Sequence, residues 1–138
     1  MIKDFPFFQQ LESMDCGATC LRMVARYHGR YFSLEYLREL TRTGKQGVSL
    51  LEISDAAEHL GINTLAASVD QDTLFQKAVL PVIVHWKEDH YIVVYKINKR
   101  HVWIADPAFG KYKLNHTDFL HHWKGEAAEG IILILEPG

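Results

Sequence analysis

Only two cysteines occur among the 138 residues, Cys16 and Cys20, and they stand four positions apart. Two such cysteines cannot form the disulfide framework that small secreted domains depend on, so we expect a reducing compartment. Long hydrophobic runs are missing too. Stretches such as Ile131 to Leu135 have the length of a strand, far below the roughly 18 residues that cross a bilayer. We therefore expect the chain as given to be soluble.

The sequence carries no excess of charge of one sign: 15 Lys and Arg stand against 17 Asp and Glu, for a formal net charge of −2. The strongly basic domain or stripe that is typical of polyanion binding is missing, so we expect no nucleic-acid partner. There is no internal repeat, low-complexity segment or linker rich in Pro, Gly or Ser. At roughly 100–200 residues per domain, the chain is predicted to be a single domain over residues 1–138.

The first half of the chain has the pattern of three helices. Apolar residues from Cys16 to His28 cover nearly every face, which predicts a largely buried helix that ends at Gly29. A second helix is predicted from Ser33, as its cap, to Thr41. The third is predicted from Ser49 to His59, and it begins with the Ser-x-x-Glu spacing of a capping box.

The second half changes to the pattern of strands. Runs of β-branched and aromatic residues alternate with turn signals such as Asn98-Lys99-Arg100. The predicted strands are Ile62 to Val69, Val82 to Trp86, Tyr91 to Ile97, Val102 to Ala105 and Ile131 to Leu135. Short helices are predicted at Asp70 to Ala78 and Thr117 to His122. Helices first and mostly antiparallel strands afterwards predict an α+β fold.

The residues Asp15-Cys16-Gly17 give the strongest chemical signal in the sequence. A cysteine at the start of a predicted helix meets the partial positive charge of the helix N-terminus, which favours the nucleophilic thiolate. Gly17 is expected to leave the approach to the sulfur uncrowded. An oxyanion formed by attack on a carbonyl would then lie near the local backbone N–H groups. The alternative is that Cys16 is a small, buried and inert residue.

A nucleophilic cysteine needs a base, and His90 is the best placed of the eight histidines because it begins a predicted strand. In such a pair the imidazole holds the thiol proton and later gives it to the leaving amine. Asp106 ends the next predicted strand, and a tight turn would bring the two strand ends together, so that the acid orients the imidazole. His85 is the alternative base, although a histidine at the end of an apolar strand is more often a packed one.

Three further signals have ordinary explanations beside the functional ones. Gln10, six residues before Cys16, could supply the second oxyanion donor or be a solvated loop residue. Cys20 lies one turn after Cys16 and could form a redox pair, although helix geometry strains such a bond. A histidine cluster could hold a metal, but no ligand spacing is completed, and we expect solvated side chains and no metal site at His116, His121 and His122.

An ordered series of motifs resembles the double-glycine leader peptidase domains of bacterial peptide-exporting ABC transporters. The motif around the cysteine is Gln10-Leu-Glu-Ser-Met-Asp15-Cys16-Gly17-Ala-Thr-Cys20-Leu-Arg-Met-Val. It is followed, in the family's order and spacing, by Tyr27-His28-Gly29, Ser33-Leu34, Gly47-Val48-Ser49, Leu60-Gly61, Leu80-Pro81-Val82-Ile83, Asp89-His90-Tyr91 and Ala105-Asp106-Pro107-Ala108-Phe109-Gly110. The resemblance covers nearly the whole chain.

This resemblance implies a papain-like cysteine peptidase, with a helical half packed on an antiparallel β-sheet and the active site between them. It implies Cys16 as the nucleophile and His90 as the general base and acid. It also implies Asp106 as the residue that orients the histidine and Gln10 as the oxyanion donor. None of the four is missing, which argues against the degenerate members of the family that only bind.

The resemblance further implies the substrate and the setting. Members cleave ribosomally made precursor peptides after a pair of small residues, typically Gly-Gly, Gly-Ala or Gly-Ser, and bind an amphipathic leader helix in an apolar groove. They usually precede transmembrane helices and an ATPase, on the cytoplasmic face of the membrane, so we expect an excised domain of such an exporter. No cofactor is expected in it: a Gly-x-x-x-x-Gly-Lys loop is missing, and ATP would bind elsewhere in the parent transporter.

Two other functions remain open for this sequence. One is a binding-only module that recognises the leader and couples it to transport. The other keeps the papain-like fold but carries out a different acyl transfer, such as deamidation. Binding without turnover would favour the first, and a change of mass without a broken chain would favour the second.

Overall fold

The structure, a computed structural model, describes residues 4–41, 47–86 and 89–138. Three helices make up the first half, in the places that the sequence predicts: α1 (Cys16–Tyr27), α2 (Leu34–Thr41) and α3 (Leu50–His59). A 3₁₀ turn at Ser13–Asp15 leads into α1, and Gly29 follows it with a left-handed φ of 81°. Within the described ranges, none of the helices is long and apolar enough to cross a membrane.

The second half forms one six-stranded sheet. Its strands are β1 (Ile62–Val69), β2 (Val82–Trp86), β3 (His90–Ile97), β4 (His101–Asp106), β5 (Gly110–Asn115) and β6 (Gly130–Pro137). Their order across the sheet is β1-β6-β2-β3-β4-β5, and every neighbouring pair is antiparallel. A helical turn at Thr73–Lys77 precedes β2, and helix α4 (His116–Trp123) precedes β6. The predicted α+β fold is confirmed.

Among the strands that the structure describes, the edge strand β5 is the one that the sequence does not predict. Its lysines, Lys111 and Lys113, are exposed and alternate with the half-buried Tyr112 and Leu114. Lysines on an edge strand discourage pairing with other chains, and they also keep the hydrophobic content of the segment low. The alternation itself, with a period of two residues, is the signal that identifies the strand.

The sheet separates two apolar cores. One lies between the sheet and the first three helices and includes Val93 of β3 and Leu133 of β6. The other lies against α4 and includes Ile92 and Val94 of β3. Successive side chains of a strand point to opposite faces, so β3 is apolar at successive positions because both of its faces are covered.

The hairpin of β3 and β4 brings two strand ends together. The strands pair in antiparallel register, and Asn98 closes the turn by accepting the backbone N–H of His101 at 2.7 Å. The first residue of β3 and the last residue of β4 therefore lie at the same end of the sheet. These two residues are His90 and Asp106.

Candidate active site

Cys16 is the first residue of α1 and is nearly buried, with 7% of its surface exposed. The residue before it, Asp15, is fully buried and makes a two-pronged ion pair with Arg38 of α2. Arg38 Nε donates to Asp15 Oδ1 at 2.8 Å, and the backbone N–H of Glu12 donates to Oδ2 at 3.0 Å. The hydrogen bond from Arg38 is the largest influence on the pKa of Asp15 and lowers it against the effect of burial. The entrance to α1 is thus fixed in place from α2.

Gly17 has a packing role that the sequence alone does not indicate. A Cβ at this position would lie 2.8 Å from Val48 Cγ2 and 2.9 Å from Ile53 Cδ1. The space beside Gly17 is therefore filled by the start of α3 and the residues before it, and it is not free for a substrate. The glycine lets α1 and α3 approach each other closely.

His90 and Asp106 lie next to each other at the shared end of β3 and β4. His90 Nε2 is 2.7 Å from Asp106 Oδ1, and the carboxylate is almost completely buried. Asp106 Oδ1 also accepts the backbone N–H of Ala108 at 2.9 Å. Because Nε2 is engaged by the carboxylate, Nδ1 is the ring nitrogen that remains for Cys16, whose thiol is one of the groups that raise the pKa of His90.

The electrostatics of the pair favour a charged imidazole. Burial is the largest single influence on His90 and disfavours the charged form, but hydrogen bonds and charge from Asp106 and Cys16 together raise its pKa from 6.5 to about 9. Burial likewise disfavours the charged form of Asp106, yet its hydrogen bonds with His90, Ala108 and Tyr112 hold its pKa below the usual value. At neutral pH the site therefore holds an imidazolium beside a carboxylate.

Tyr112 is a site residue that the sequence analysis does not single out. Its hydroxyl donates to Asp106 Oδ2 at 2.9 Å, opposite the oxygen that His90 contacts. Burial and the negative charge of Asp106 raise the pKa of Tyr112 well above its ordinary value, so the hydroxyl stays protonated and donates. Tyr112 belongs to β5, so recognising that strand from its alternation would have placed an inward-facing tyrosine beside the end of β4.

Gln10 connects the two parts of the site. Its backbone N–H donates to Pro107 O at 2.8 Å, directly after Asp106, and its side-chain Nε2 donates to Glu12 O at 3.0 Å, at the approach to Cys16. Its Oε1 is buried and has no hydrogen-bond partner within the ranges that the structure describes. Gln10 is therefore a partly buried bridge and not the solvated loop residue considered as the alternative.

A cleft of about 650 Å³ opens beside Cys16. Its walls come from the residues before α1, from the loop and first turn of α3 around Val48, and from the strand ends that carry His85 and Tyr91. His85 lies 3.5 Å from the exposed carboxylate of Asp89, Nε2 to Oδ1. Cys16 influences the pKa of His90, and His90 also contacts the buried Asp106, so His90 is favoured over His85 as the base.

The remaining sequence signals have structural explanations. Cys16 and Cys20 are both free thiols, and burial raises the pKa of Cys20 well above its ordinary value. His116 Nε2 contacts Asn98 O at 2.8 Å, and the exposed His122 stacks on Trp86. Across the described parts of the chain, no three His, Cys, Asp or Glu side chains come together in a way that could hold a metal ion.

The comparison with known families gives one match over almost the whole chain. Residues 4–136 match the family described as Peptidase C39 family. The chain is 36% identical over 121 residues to the lactococcin-G-processing and transport ATP-binding protein LagD of Lactococcus lactis subsp. lactis, a match that covers 84% of this chain and 17% of LagD. It is 31% identical over 124 residues to the colicin V secretion/processing ATP-binding protein CvaB of Escherichia coli, a match that covers 90% of this chain and 18% of CvaB. The chain thus spans about a sixth of the length of these relatives.

Solved structures share the fold over nearly its full extent. A double-glycine motif protease from an AMS/PCAT transporter, crystallised in complex with a leader peptide, superimposes with a TM-score of 0.91 at 27% identity, covering 98% of this chain and 93% of that one. The peptidase domain of Streptococcus ComA, a bifunctional ABC transporter, superimposes with a TM-score of 0.88 at 32% identity, covering 98% of this chain and 100% of that one. The papain-like fold implied by the resemblance is confirmed. On sequence and fold together, this chain belongs to the Peptidase C39 family, a family of cysteine peptidases.

Proposed function

We propose that this domain is a thiol endopeptidase that removes the leader from ribosomally made precursor peptides after a double-glycine-type site. In this proposal Cys16 is the nucleophile, His90 the general acid and base, Asp106 the residue that orients the imidazole, and Gln10 an oxyanion donor. The observation that carries it is the 2.7 Å contact of His90 with a buried carboxylate, together with a cysteine that begins a helix and influences the pKa of this histidine. Thiol acyl transfer requires a nucleophilic sulfur, an imidazole that moves the proton and an acid that orients the imidazole, and these three groups match that requirement.

The reaction begins with the imidazolium holding the proton that Cys16 has given up. The thiolate attacks the carbonyl of the second small residue, and the oxyanion is stabilised by the side-chain amide of Gln10 and backbone N–H groups at the start of α1. His90 then donates its proton to the leaving amine, the peptide bond breaks, and a thioester to Cys16 remains. Neutral His90 next takes a proton from water, whose attack on the thioester releases the leader and restores the thiolate–imidazolium pair.

The preference for two small residues follows from how little of the Cys16 side chain is exposed, although the cleft beside it is wide. Cys16 is 7% exposed, and Gly17 beside it is packed against Val48 and Ile53. A substrate carbonyl reaches such a sulfur only where the chain carries little or no side chain, so glycine, alanine and serine are admitted and larger residues are rejected sterically. The leader itself would supply binding energy by an amphipathic helix in an apolar groove.

The relatives suggest the setting in which this peptidase works. LagD and CvaB are named as processing and transport, or secretion, ATP-binding proteins, and the matched part is about a sixth of each. We propose that this domain is likewise part of a peptide exporter, on the cytoplasmic side of the membrane, with transmembrane and ATPase domains as partners. ATP would bind in the ATPase domain, since the 138 residues contain no Gly-x-x-x-x-Gly-Lys loop.

The decisive experiment uses a precursor whose leader ends in Gly-Gly, with cleavage followed by mass spectrometry. The wild-type domain is expected to release leader and product, Cys16→Ala to release neither, and the matched control Cys20→Ala to behave as wild type. Iodoacetamide should label Cys16 in preference to the buried Cys20. Cleavage by Cys16→Ala, binding without turnover by wild type, or a changed mass of an intact chain would each overturn the peptidase assignment.

A further inference from the structure

A second cavity, of about 670 Å³, borders the His90–Asp106 pair. Its walls include the rings of Trp86, Phe109 and Tyr112. Cys16 lines the first cleft, whereas His90 and Asp106 line this one. The two cavities therefore lie on either side of the reacting groups, one on the sulfur side and one on the imidazole side.

The arrangement of the sheet explains why there are two cavities. His90 pairs with Trp86 across β2 and β3, and Trp86 belongs to the core that packs against α4. Cys16 comes from α1 and belongs to the core on the opposite face. The thiol of Cys16 is near enough to raise the pKa of His90 at the end of the strands, so a peptide that lies across the two residues passes from the helical side of the sheet to the α4 side.

The chemistry gives these two sides different occupants. In thiol acyl transfer the acyl part of the substrate becomes bonded to the sulfur, while the leaving amine takes its proton from the imidazole. The chain before the scissile bond therefore lies on the Cys16 side, and the chain after it on the His90 side. We propose that the second cavity, which we call the product-side cavity, binds an apolar or aromatic side chain from the first residues after the cleavage site. This inference rests on the proposed peptidase function.

The lining of the product-side cavity indicates the class of side chain. Phe109 is 83% exposed at its mouth, and the turn that carries it is held by the hydrogen bond from Phe109 N to Asp106 O at 3.1 Å. Of the described residues that line it, only Asp106 carries a carboxylate, and that group already accepts from Ala108 and Tyr112 and contacts His90. The walls thus offer aromatic faces, together with the imidazoles of His121 and His122, and no free carboxylate that would select a cationic residue.

The test compares two precursors that share one leader and one Gly-Gly site and differ in the next two residues, which are Phe-Phe in one and Ser-Ser in the other. We measure kcat/KM for both and take the ratio, because leader binding cancels in it. Wild type is expected to prefer the Phe-Phe precursor about tenfold, the scale of discrimination that an apolar pocket achieves. Phe109→Ala should bring the ratio close to one. Leu65→Ala is the matched control, since Leu65 is an exposed apolar residue on β1, at the opposite edge of the sheet.

Each outcome decides the question. A wild-type ratio near one overturns the inference, as does a ratio that Phe109→Ala leaves unchanged or that Leu65→Ala lowers equally. If Phe109→Ala fails to fold, the wild-type ratio measured with Phe-Phe, Leu-Leu and Ser-Ser precursors still decides. Cleavage of neither precursor by wild type is a separate result: it refutes the proposed function, and the inference falls with it.

Discussion

Two buried carboxylates stand on either side of the reacting groups, and their partners differ. Asp15, directly before Cys16, is fully buried and paired with Arg38. Asp106, beside His90, is 1% exposed and bonded to a histidine and a tyrosine. Arginine stays charged at every pH at which a protein folds, whereas histidine titrates.

The difference separates a positioning role from a chemical one. The pair of Asp15 with Arg38 holds the entrance to α1 in one place, and its charge state does not change during turnover. The pair of Asp106 with His90 raises the pKa of the imidazole, and in the proposed mechanism this imidazole gives up and takes back a proton. A buried carboxylate is thus common to both regions, and the partner decides whether it acts on geometry or on protonation.

The largest effect is expected where the chemical pair is broken. Asp106→Ala removes the acceptor that aligns His90 and leaves Tyr112 without its partner, so kcat/KM for a Gly-Gly precursor should fall about a thousandfold. The measurement is steady-state cleavage, with circular dichroism to establish that the variant is folded. Asp55→Ala, which removes an exposed carboxylate on α3, is the control and should leave kcat/KM unchanged. A loss of less than tenfold in folded Asp106→Ala would refute the orienting role.

A second prediction isolates the charge of Asp106 from its hydrogen bonds. In the proposed mechanism the active form has a protonated His90, so kcat/KM should fall tenfold per pH unit above about 9, the raised pKa of this imidazole. Asp106→Asn keeps an oxygen acceptor but removes the negative charge. The alkaline limb of the pH profile, where kcat/KM falls, should therefore move from about pH 9 down towards pH 6.5, while activity at lower pH largely persists. The pH profile of kcat/KM for both proteins tests this. An unmoved limb in Asp106→Asn would show that the carboxylate charge does not set the proton affinity of His90.

The same shift predicts how stability depends on pH. The pKa of His90 is raised above its unfolded value of 6.5, so its stabilising contribution is complete below pH 6.5 and is lost as the pH rises through about 9. Urea unfolding from pH 6 to pH 10 should show this loss in wild type. Asp106→Asn should flatten it over the same range.

The positioning pair should respond differently. Arg38→Met leaves the carboxylate of Asp15 buried without its strong partner, so the variant should melt several degrees lower than wild type. Its activity should fall by the same factor at every pH. Arg38→Lys, which keeps the charge but not the two-pronged geometry, should recover part of the stability. Arg100→Met removes the same charge from an exposed turn and should change neither quantity. A shift of the alkaline limb in Arg38→Met would contradict the separation of roles.

Local signals predict much of the fold. Helices α1 and α3 are found because Gly29 and the Ser49 capping box mark their ends, and β3 because it is apolar along its length. The strand β5 is missed because an edge strand buries only alternate residues and here exposes lysines between them. The predictions succeed where a segment's own residues determine its structure, and they fail where a neighbour provides the burial.

The residues of the candidate site divide in the same way, into those that local sequence signals identify and those that only the folded chain brings to the site. Cys16 and His90 stand out from the sequence because one begins a helix and the other a strand, and the family motif adds Asp106 and Gln10. Arg38 and Tyr112 do not stand out, because each becomes a site residue only through a contact made in the folded chain, with Asp15 and with Asp106. These supporting contacts join elements that are separate in sequence, and no local pattern carries them.

The smallest expected effect comes from deleting a hydrogen bond to the carboxylate of Asp106 while the carboxylate itself stays in place. Tyr112→Phe keeps the ring and deletes the hydroxyl that donates to Asp106 Oδ2. The remaining negative charge is then less dispersed and attracts the imidazolium more strongly, so the alkaline limb should move slightly upward, opposite to its movement in Asp106→Asn. The carboxylate also loses one of the bonds that fix its rotation, which should lower kcat/KM about threefold to tenfold.

Because Tyr112 also lines the product-side cavity, this measurement needs the Ser-Ser precursor, which places no large side chain there. Tyr31→Phe is the control, since Tyr31 is 71% exposed, follows the end of α1 in sequence and has its ring under Arg26. A downward movement of the limb in Tyr112→Phe would mean that the tyrosine raises the proton affinity of His90 by other means than through Asp106. An unchanged profile with unchanged kcat/KM would mean that the Ala108 and His90 contacts alone hold the carboxylate in place.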